Sequence, residues 1–275
     1  IGFGSAPEGL ENNEVVYELL ADMGWTSDSI DLDDWMKIYC EARYGGYPDA
    51  MKEAWKLFRK TAYSSLYSYP RFTWQTVVPD QRRISKIDLS DDYLQAILLY
   101  ASCADELKNS ELYRNDLIEF VSYYVAAKAE NFYKQALKDD SENRVLAAQR
   151  NLQQTVDLLI DVDRLLASHP LYRLEEWVEL ARNSGTTLQE KDAYEANAKR
   201  LITSWGGIQE DYAARFWSGL IKDYYIPRIQ LYFTKDRNKI REWEEQWITS
   251  PWSNSTTPFD DPVKAALGLI EKTNK

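Results

Sequence analysis

Between residues 143 and 168, apolar side chains fall at Val145, Ala148, Leu152, Val156, Leu159, Val162 and Leu166. Those spacings of three and four line one stripe of an α-helix, whereas a half-buried strand would need them to alternate. The same period starts at Asn12 and runs nearly to the end of the 275 residues. Turn formers are scarce to match, with 11 Gly and 9 Pro, too few for the many reversals of a barrel or a sandwich. The pattern predicts an all-α fold of about ten helices, around 12–24, 31–45, 48–69, 91–108, 111–138, 142–168, 170–183, 187–204, 209–233, 236–249 and 262–273. One long irregular stretch interrupts it. "YPRFTWQTVVPDQRRISKIDLS" at 69–90 carries two prolines and is expected to be a loop, with a short strand around Thr76 to Val78.

Helix starts are marked by side chains that can accept from free backbone N–H groups. Asp31 precedes "LDDW", Ser90 precedes "DDY", Thr186 and Gln189 fit a capping box, and Asp261 with Pro262 fits a cap followed by proline at the first helical position. Acids in a first turn also complement the helix dipole. The pairs Asp33/Asp34, Asp91/Asp92 and Asp260/Asp261 therefore have a structural task and are poor catalytic candidates.

Composition narrows the function. A net charge of −11 without a concentrated basic face argues against a nucleic-acid partner. The longest uncharged apolar run, "YLQAILLYASCA" at 93–104, is too short to cross a bilayer, so no membrane partner is expected. His169 is the sole histidine, and Cys40 and Cys103 are the two cysteines. Histidine-based metal motifs, CxxC pairs and a disulfide framework are thereby removed, and no metal site is expected. The aromatic content is high, with 10 Trp and 19 Tyr. Most of these rings belong to the core, while some suit a concave wall on which the C–H faces of sugars stack.

The beginning of the chain poses a separate question, because "GFGSAPEGLENNEVVYELL" sets Glu8 between Pro7 and Gly9 just ahead of a helix. Gly4 to Gly9 has the glycine spacing of the first part of a phosphate-binding loop. Leu10 and Glu11 stand where Lys and Ser/Thr are required, however, and Pro7 occupies the third glycine position of a dinucleotide fingerprint. A plain Pro-x-Gly turn accounts for the loop. So does a strand end that presents a carboxylate for sugar chemistry, with Pro7 limiting the backbone and Gly9 allowing a sharp exit. "IGFGSAP" has the pattern of a strand-to-loop transition with no partner strand ahead of it, so the chain is expected to be part of a longer protein.

"GSAPEGLENNEVVYELLADMGW" resembles the segment of the α-N-acetylglucosaminidases, glycoside hydrolase family 89, that leads from the catalytic (β/α)8-type barrel into a C-terminal helical domain. "ARYGGYPDAMKEAWKLFRKTAY", "LYRNDLIEFVSYYVAAKAENFYKQAL", "LITSWGG" and "DYAARFWSGLIKDYYIPRI" follow in that family's order, so the resemblance covers nearly the whole chain. It implies that residues 1–11 are the end of the barrel, a strand and loop remnant carrying Glu8, and that 12–275 form an all-α C-terminal domain. It implies that Glu8 is the nucleophile of a retaining mechanism and that Trp205 and Tyr212 lie at the sugar site, with Asp211 and Arg215 as supporting candidates beside that tyrosine.

The further implications concern the whole enzyme. Terminal α-linked N-acetylglucosamine would be removed from heparan-type or mucin-type glycans, with no metal or organic cofactor. The acid/base glutamate would sit in the barrel upstream of Ile1, making that barrel the domain's partner and leaving the isolated chain inactive. The enzyme would be exported to the periplasm or medium in a bacterium and lysosomal in an animal. A competing class is a non-catalytic helical glycan-binding or interaction domain, which explains the aromatics by sugar stacking and Glu8 by a turn.

Overall fold

The helical period is realised as eleven α-helices among the described residues of the computed structural model, which are 4, 14–64, 72–76, 90–205, 211–253 and 255–274. They are α1 Glu14–Trp25, α2 Leu32–Tyr44, α3 Asp49–Lys60, α4 Asp91–Ala101, α5 Glu111–Ser141, α6 Val145–Leu166, α7 Leu174–Asn183, α8 Leu188–Leu201, α9 Ile226–Tyr232, α10 Arg237–Thr249 and α11 Pro262–Thr273. A 3₁₀ turn occupies Thr73–Gln75, and a π-helical turn, Ile221–Tyr225, runs directly into α9. No strand occurs among the described residues. The nearest approach is a parallel bridge in which Ser218 N–H donates to Tyr172 O at 2.8 Å and Leu174 N–H to Ser218 O at 3.0 Å. The all-α expectation holds. Glu8 and the rest of the expected barrel remnant, Gly4 apart, lie outside the described residues.

The expected caps are in place at three helices. Asp31 accepts from Asp33 and Asp34 N–H at 2.9 and 3.1 Å, Ser90 from Tyr93 N–H at 3.3 Å, and Asp261 from Lys264 N–H at 3.0 Å. At α8 the capping box sits one residue later than expected. Thr187 Oγ1 accepts from Glu190 N–H at 3.2 Å, while the Glu190 carboxylate accepts from Thr186 and Thr187 N–H at 2.8 and 3.0 Å. A carboxylate is a stronger acceptor than the amide of Gln189, and this decides the register. The Thr186 hydroxyl and those N–H groups hold the Glu190 carboxyl down at about 2.

Three helices differ in extent, α4 among them, expected over 91–108 but ending at Ala101 and passing into turns. α3 ends at Lys60, where Thr61 turns to φ −110°, ψ −82° and its hydroxyl bonds back to Leu57 O at 2.7 Å. Within the expected helix over 209–233, the described residues 211–219 are not helical and the helical run begins at Leu220, because Gly219 takes φ 82° and Ser218 is committed to its bridge with Arg173. Thr76 is extended but bonded to Thr73 O at 3.1 Å, and Val77 and Val78, the rest of the expected short strand, lie outside the described residues.

The chain divides into two compact units. The first comprises Ile1–Ser64 and Ser90–Glu119. Its core is aromatic: Tyr100 stacks on Tyr113 at 5.0 Å, and Tyr44 meets both rings edge-on at about 6 Å. A buried ion pair braces it, Arg43 gripping Asp116 with two bonds of 2.8 Å while Tyr44 OH donates to the same carboxylate at 2.6 Å. Cys40 and Cys103 are buried free thiols in this unit.

The second unit comprises Ser65–Leu89 and Phe120–Lys275. Its helices are joined by buried charges rather than by apolar contact alone. Asp163, fully buried on α6, accepts from Gly219 N–H at 2.8 Å, Lys222 N–H at 3.1 Å and the Thr256 hydroxyl at 2.5 Å. It thereby closes the amino end of the π-turn. Burial pushes its carboxyl up to about 6 despite those bonds. Lys199 of α8, also buried, donates to Trp247 O at 2.8 Å and to Ser250 O, and pairs with Glu195 at 3.2 Å, so it caps the carboxyl end of α10.

Candidate functional site

Helix α8 stops at Leu201, and the chain then turns through Ile202, Thr203 and Ser204 to Trp205, whose N–H donates to Arg200 O at 2.8 Å. Trp205 has φ 52°, and Asp211, the next described residue, has φ 61°. A left-handed backbone costs a non-glycine residue about 1–2 kcal/mol, and a bulky aromatic there is an outlier. Such conformations persist where the surroundings hold them, and they gather at functional sites. Here the holding groups are visible. Asp211 N–H donates to Thr203 O at 3.1 Å, and its buried carboxylate accepts from Arg228 at 2.7 Å. The result is that Trp205 and Tyr212 meet edge to face, ring centroids 5.5 Å apart at 65°, both partly exposed. An aromatic pair that keeps part of its surface in water can take the apolar face of a sugar ring.

The four described candidates thus form one neighbourhood in three different ways. Trp205 and Tyr212 contribute rings. Asp211 contributes a buried carboxylate behind them. Arg215 enters through its backbone carbonyl, which accepts from Tyr225 OH at 2.9 Å and Gln75 Nε2 at 3.4 Å. Glu8, the fifth candidate, lies outside the described residues.

Sequence reasoning missed the group that holds Asp211. Arg228 of α9 is buried, with Nη1 donating to Asp211 at 2.7 Å, to Glu244 at 3.1 Å and to Tyr224 OH at 3.1 Å, and Nη2 donating to Gln75 O at 2.6 Å. Its guanidinium also lies over the rings of Tyr224 and Tyr225, at 4.7 and 5.4 Å. Burial opposes the charge, but Asp211, Tyr224 and Glu244 outweigh it and hold Arg228 well above the usual arginine range. The signal was a cation at an apolar helical position in "YYIPRI", four residues after Tyr224.

The Thr73–Gln75 turn is the second element that Arg228 holds. Its other end is fixed by Glu130 of α5, which accepts from Thr73 N–H at 2.9 Å and from the Thr73 hydroxyl. Trp74 stacks on Phe72 at 4.9 Å and meets Tyr225 edge-on at 5.5 Å. A separate open groove of about 310 Å³, lined by Trp177, Ala181, Tyr194, Asn197 and Leu201 among others, contains none of the sequence-predicted residues.

Comparison with known proteins shows the family. Residues 35–272 match the family model described as the alpha-N-acetylglucosaminidase (NAGLU) C-terminal domain. The chain belongs to that family. The human alpha-N-acetylglucosaminidase is 31% identical over 249 residues, covering 84% of this chain and 32% of the human protein. Two structures of a family 89 glycoside hydrolase from Clostridium perfringens are similar in fold, each 24% identical over 96% of this chain and 34% of theirs. That in complex with 2-acetamido-1,2-dideoxynojirmycin has a TM-score of 0.83, and that in complex with PUGNAc 0.84. A third, of a doubly substituted form in complex with its substrate GlcNAc-alpha-1,4-galactose, has a TM-score of 0.81 at 24% identity over 94% of this chain. The chain thus spans about a third of the length of the relatives it matches. It is an alpha-N-acetylglucosaminidase C-terminal domain, all-α among the described residues, and no described helix is long and apolar enough to cross a membrane.

Proposed function

We propose that this domain forms one wall of the sugar pocket of a retaining exo-α-N-acetylglucosaminidase and that its Glu8 is the nucleophile. The observation that carries the proposal is the Trp205–Tyr212 pair, held on two left-handed residues in a chain of this family. Residues 1–11 are then the last loop of a catalytic barrel and 12–275 the helical domain. Glu8 attacks the anomeric carbon while a second carboxyl, from the barrel, protonates the leaving oxygen. Water then hydrolyses the glycosyl ester, assisted by that second group acting as base. The geometry this requires is two carboxyls about 5–5.5 Å apart on either side of the bond. Trp205 and Tyr212 close around the terminal N-acetylglucosamine, and the substrate of the Clostridium perfringens relative supports an α-linked glycan as its source. Export in a bacterium, or a lysosomal destination in an animal, goes with this activity.

The test uses the full-length enzyme, numbered as here. Glu8→Ala is expected to lower turnover of an aryl α-N-acetylglucosaminide about 10⁴-fold, with a stability change within about 0.5 kcal/mol because a loop carboxylate contributes little packing. Azide should partly restore the Ala variant by attacking from the vacated side, and chain 1–275 alone should show no hydrolysis. Wild-type turnover in Glu8→Ala would reduce "GSAPEGL" to an ordinary turn.

A further inference from the structure

Five segments meet at Arg228, and one of them, the Thr73–Gln75 turn, lies far from the others in sequence. They are the Thr73–Gln75 turn, the Asp211–Arg215 segment, the π-turn, α9 itself and α10. Two of them, the 3₁₀ turn at 73–75 and the segment at 211–215, belong to no α-helix, so no long helical ladder dictates where they lie. Each instead gives the same guanidinium one strong bond: Gln75 through its carbonyl at 2.6 Å, Asp211 through its carboxylate at 2.7 Å. Gln75 then reaches Arg215 O with its own amide at 3.4 Å, which closes a ring of contacts. The guanidinium is suited to this because it is planar, permanently charged and offers several donors in a fixed fork. Glu244 and Tyr224, bonded to each other at 2.7 Å, fix the fork from behind. Asp211 is one residue from Tyr212 and left-handed, its N–H held by Thr203 O and its carboxylate by Arg228. Displacing that carboxylate would let Tyr212 leave Trp205.

We propose that Arg228 is the positioning residue of the sugar-facing wall: without touching the glycan, it sets the places of Tyr212 and Trp205 through Asp211 and of the Thr73–Gln75 turn through the Gln75 carbonyl. This rests on the proposal that Trp205 and Tyr212 contact the sugar. Lysine at 228 would keep the charge but, as a single point donor, could not serve Asp211 and Gln75 in the same geometry. The first-order consequence is in substrate binding, since the wall moves while the reacting carboxyls do not.

The experiment compares Arg228→Lys, Asp211→Asn, Trp205→Ala, Tyr212→Ala and the double variant Arg228→Lys/Trp205→Ala in the full-length enzyme, with KM and kcat for an aryl α-N-acetylglucosaminide and the melting temperature of each. Arg228→Lys is expected to raise KM about 10- to 100-fold, the scale of losing one or two aromatic contacts with the sugar, with kcat changed far less. In the double variant the two effects should not add, because a wall already without its ring has little left to misplace. Asp211→Asn removes the charge that strengthens the bond to the loop, leaves Arg228 paired with Glu244, and should raise KM in the same direction; it decides the matter if Arg228→Lys does not fold. A lowered melting temperature with unchanged KM in the folded fraction, or additive effects in the double variant, would overturn the positioning role. If Trp205→Ala and Tyr212→Ala themselves leave KM unchanged, the sugar-wall proposal falls and this one with it.

Discussion

Trp205 carries a large ring on a backbone that only glycine adopts freely, and the two halves of that statement can be measured apart. Trp205→Ala removes the ring and keeps the left-handed penalty, whereas Trp205→Gly removes both. The Gly variant is expected to be the more stable by roughly 0.5–1 kcal/mol in chemical denaturation, while the two share the same loss in kcat/KM. Equal stabilities would mean that the backbone there relaxes once the ring is gone. Single residues were legible in sequence to the degree that chemistry is local. Trp205 and Tyr212 stood out through a family resemblance, and the structure brings their rings together. Asp211 was marked only as Tyr212's neighbour. Arg228 went unseen because its importance lies in partners as far as 153 positions away, which no spacing rule connects.

Helix ends were legible where a side chain caps its own helix, as at Asp31, Ser90 and Asp261, since all the atoms involved lie within four residues. They were not legible where the closing group comes from elsewhere. The stretch before Leu220 is kept out of helical form by Ser218's bridge to Arg173 and by Asp163 of α6, and periodicity alone extends a helix through it. The carboxyl end of α10, by contrast, falls at Thr249 as expected, although the group that closes it is Lys199 of α8, whose pKa burial pulls down. Lys199→Met keeps the stem and the volume but leaves Trp247 O and Ser250 O without that donor. Glu195 retains Arg182 at 2.6 Å and Trp252 N–H at 2.5 Å, so the carboxylate is not orphaned. The expected cost is about 3 kcal/mol, at the lower end for a broken buried pair, read from the denaturant midpoint. A change below about 0.5 kcal/mol would show that water replaces the ammonium at no cost.

Across the whole molecule, acids outnumber bases by 11, and several carboxyls are pushed in one direction by burial: Asp163 to about 6, with Glu14, Glu18 and Asp223 also raised. A carboxyl whose folded value lies above its unfolded one contributes stability that is fully present below the unfolded value and is lost as pH rises through the folded one. For Asp163, moving from 3.8 to about 6 makes that contribution on the order of 3 kcal/mol, gained as pH falls from 7 towards 4. Glu190, held at about 2, acts in the opposite sense, losing its contribution only as pH falls from 4.5 towards 2. The melting temperature is therefore expected to rise on acidification from pH 7.5 to about 5 and to decline below about 4, and Asp163→Asn should flatten the upper part of that profile. A melting temperature that falls steadily from pH 7.5 would contradict the assignment. The buried carboxyl of α6 thus gives the native chain a higher affinity for a proton than the unfolded chain has, so hydrogen ion acts on this fold as a stabilising ligand, supplied by the medium and effective by mass action.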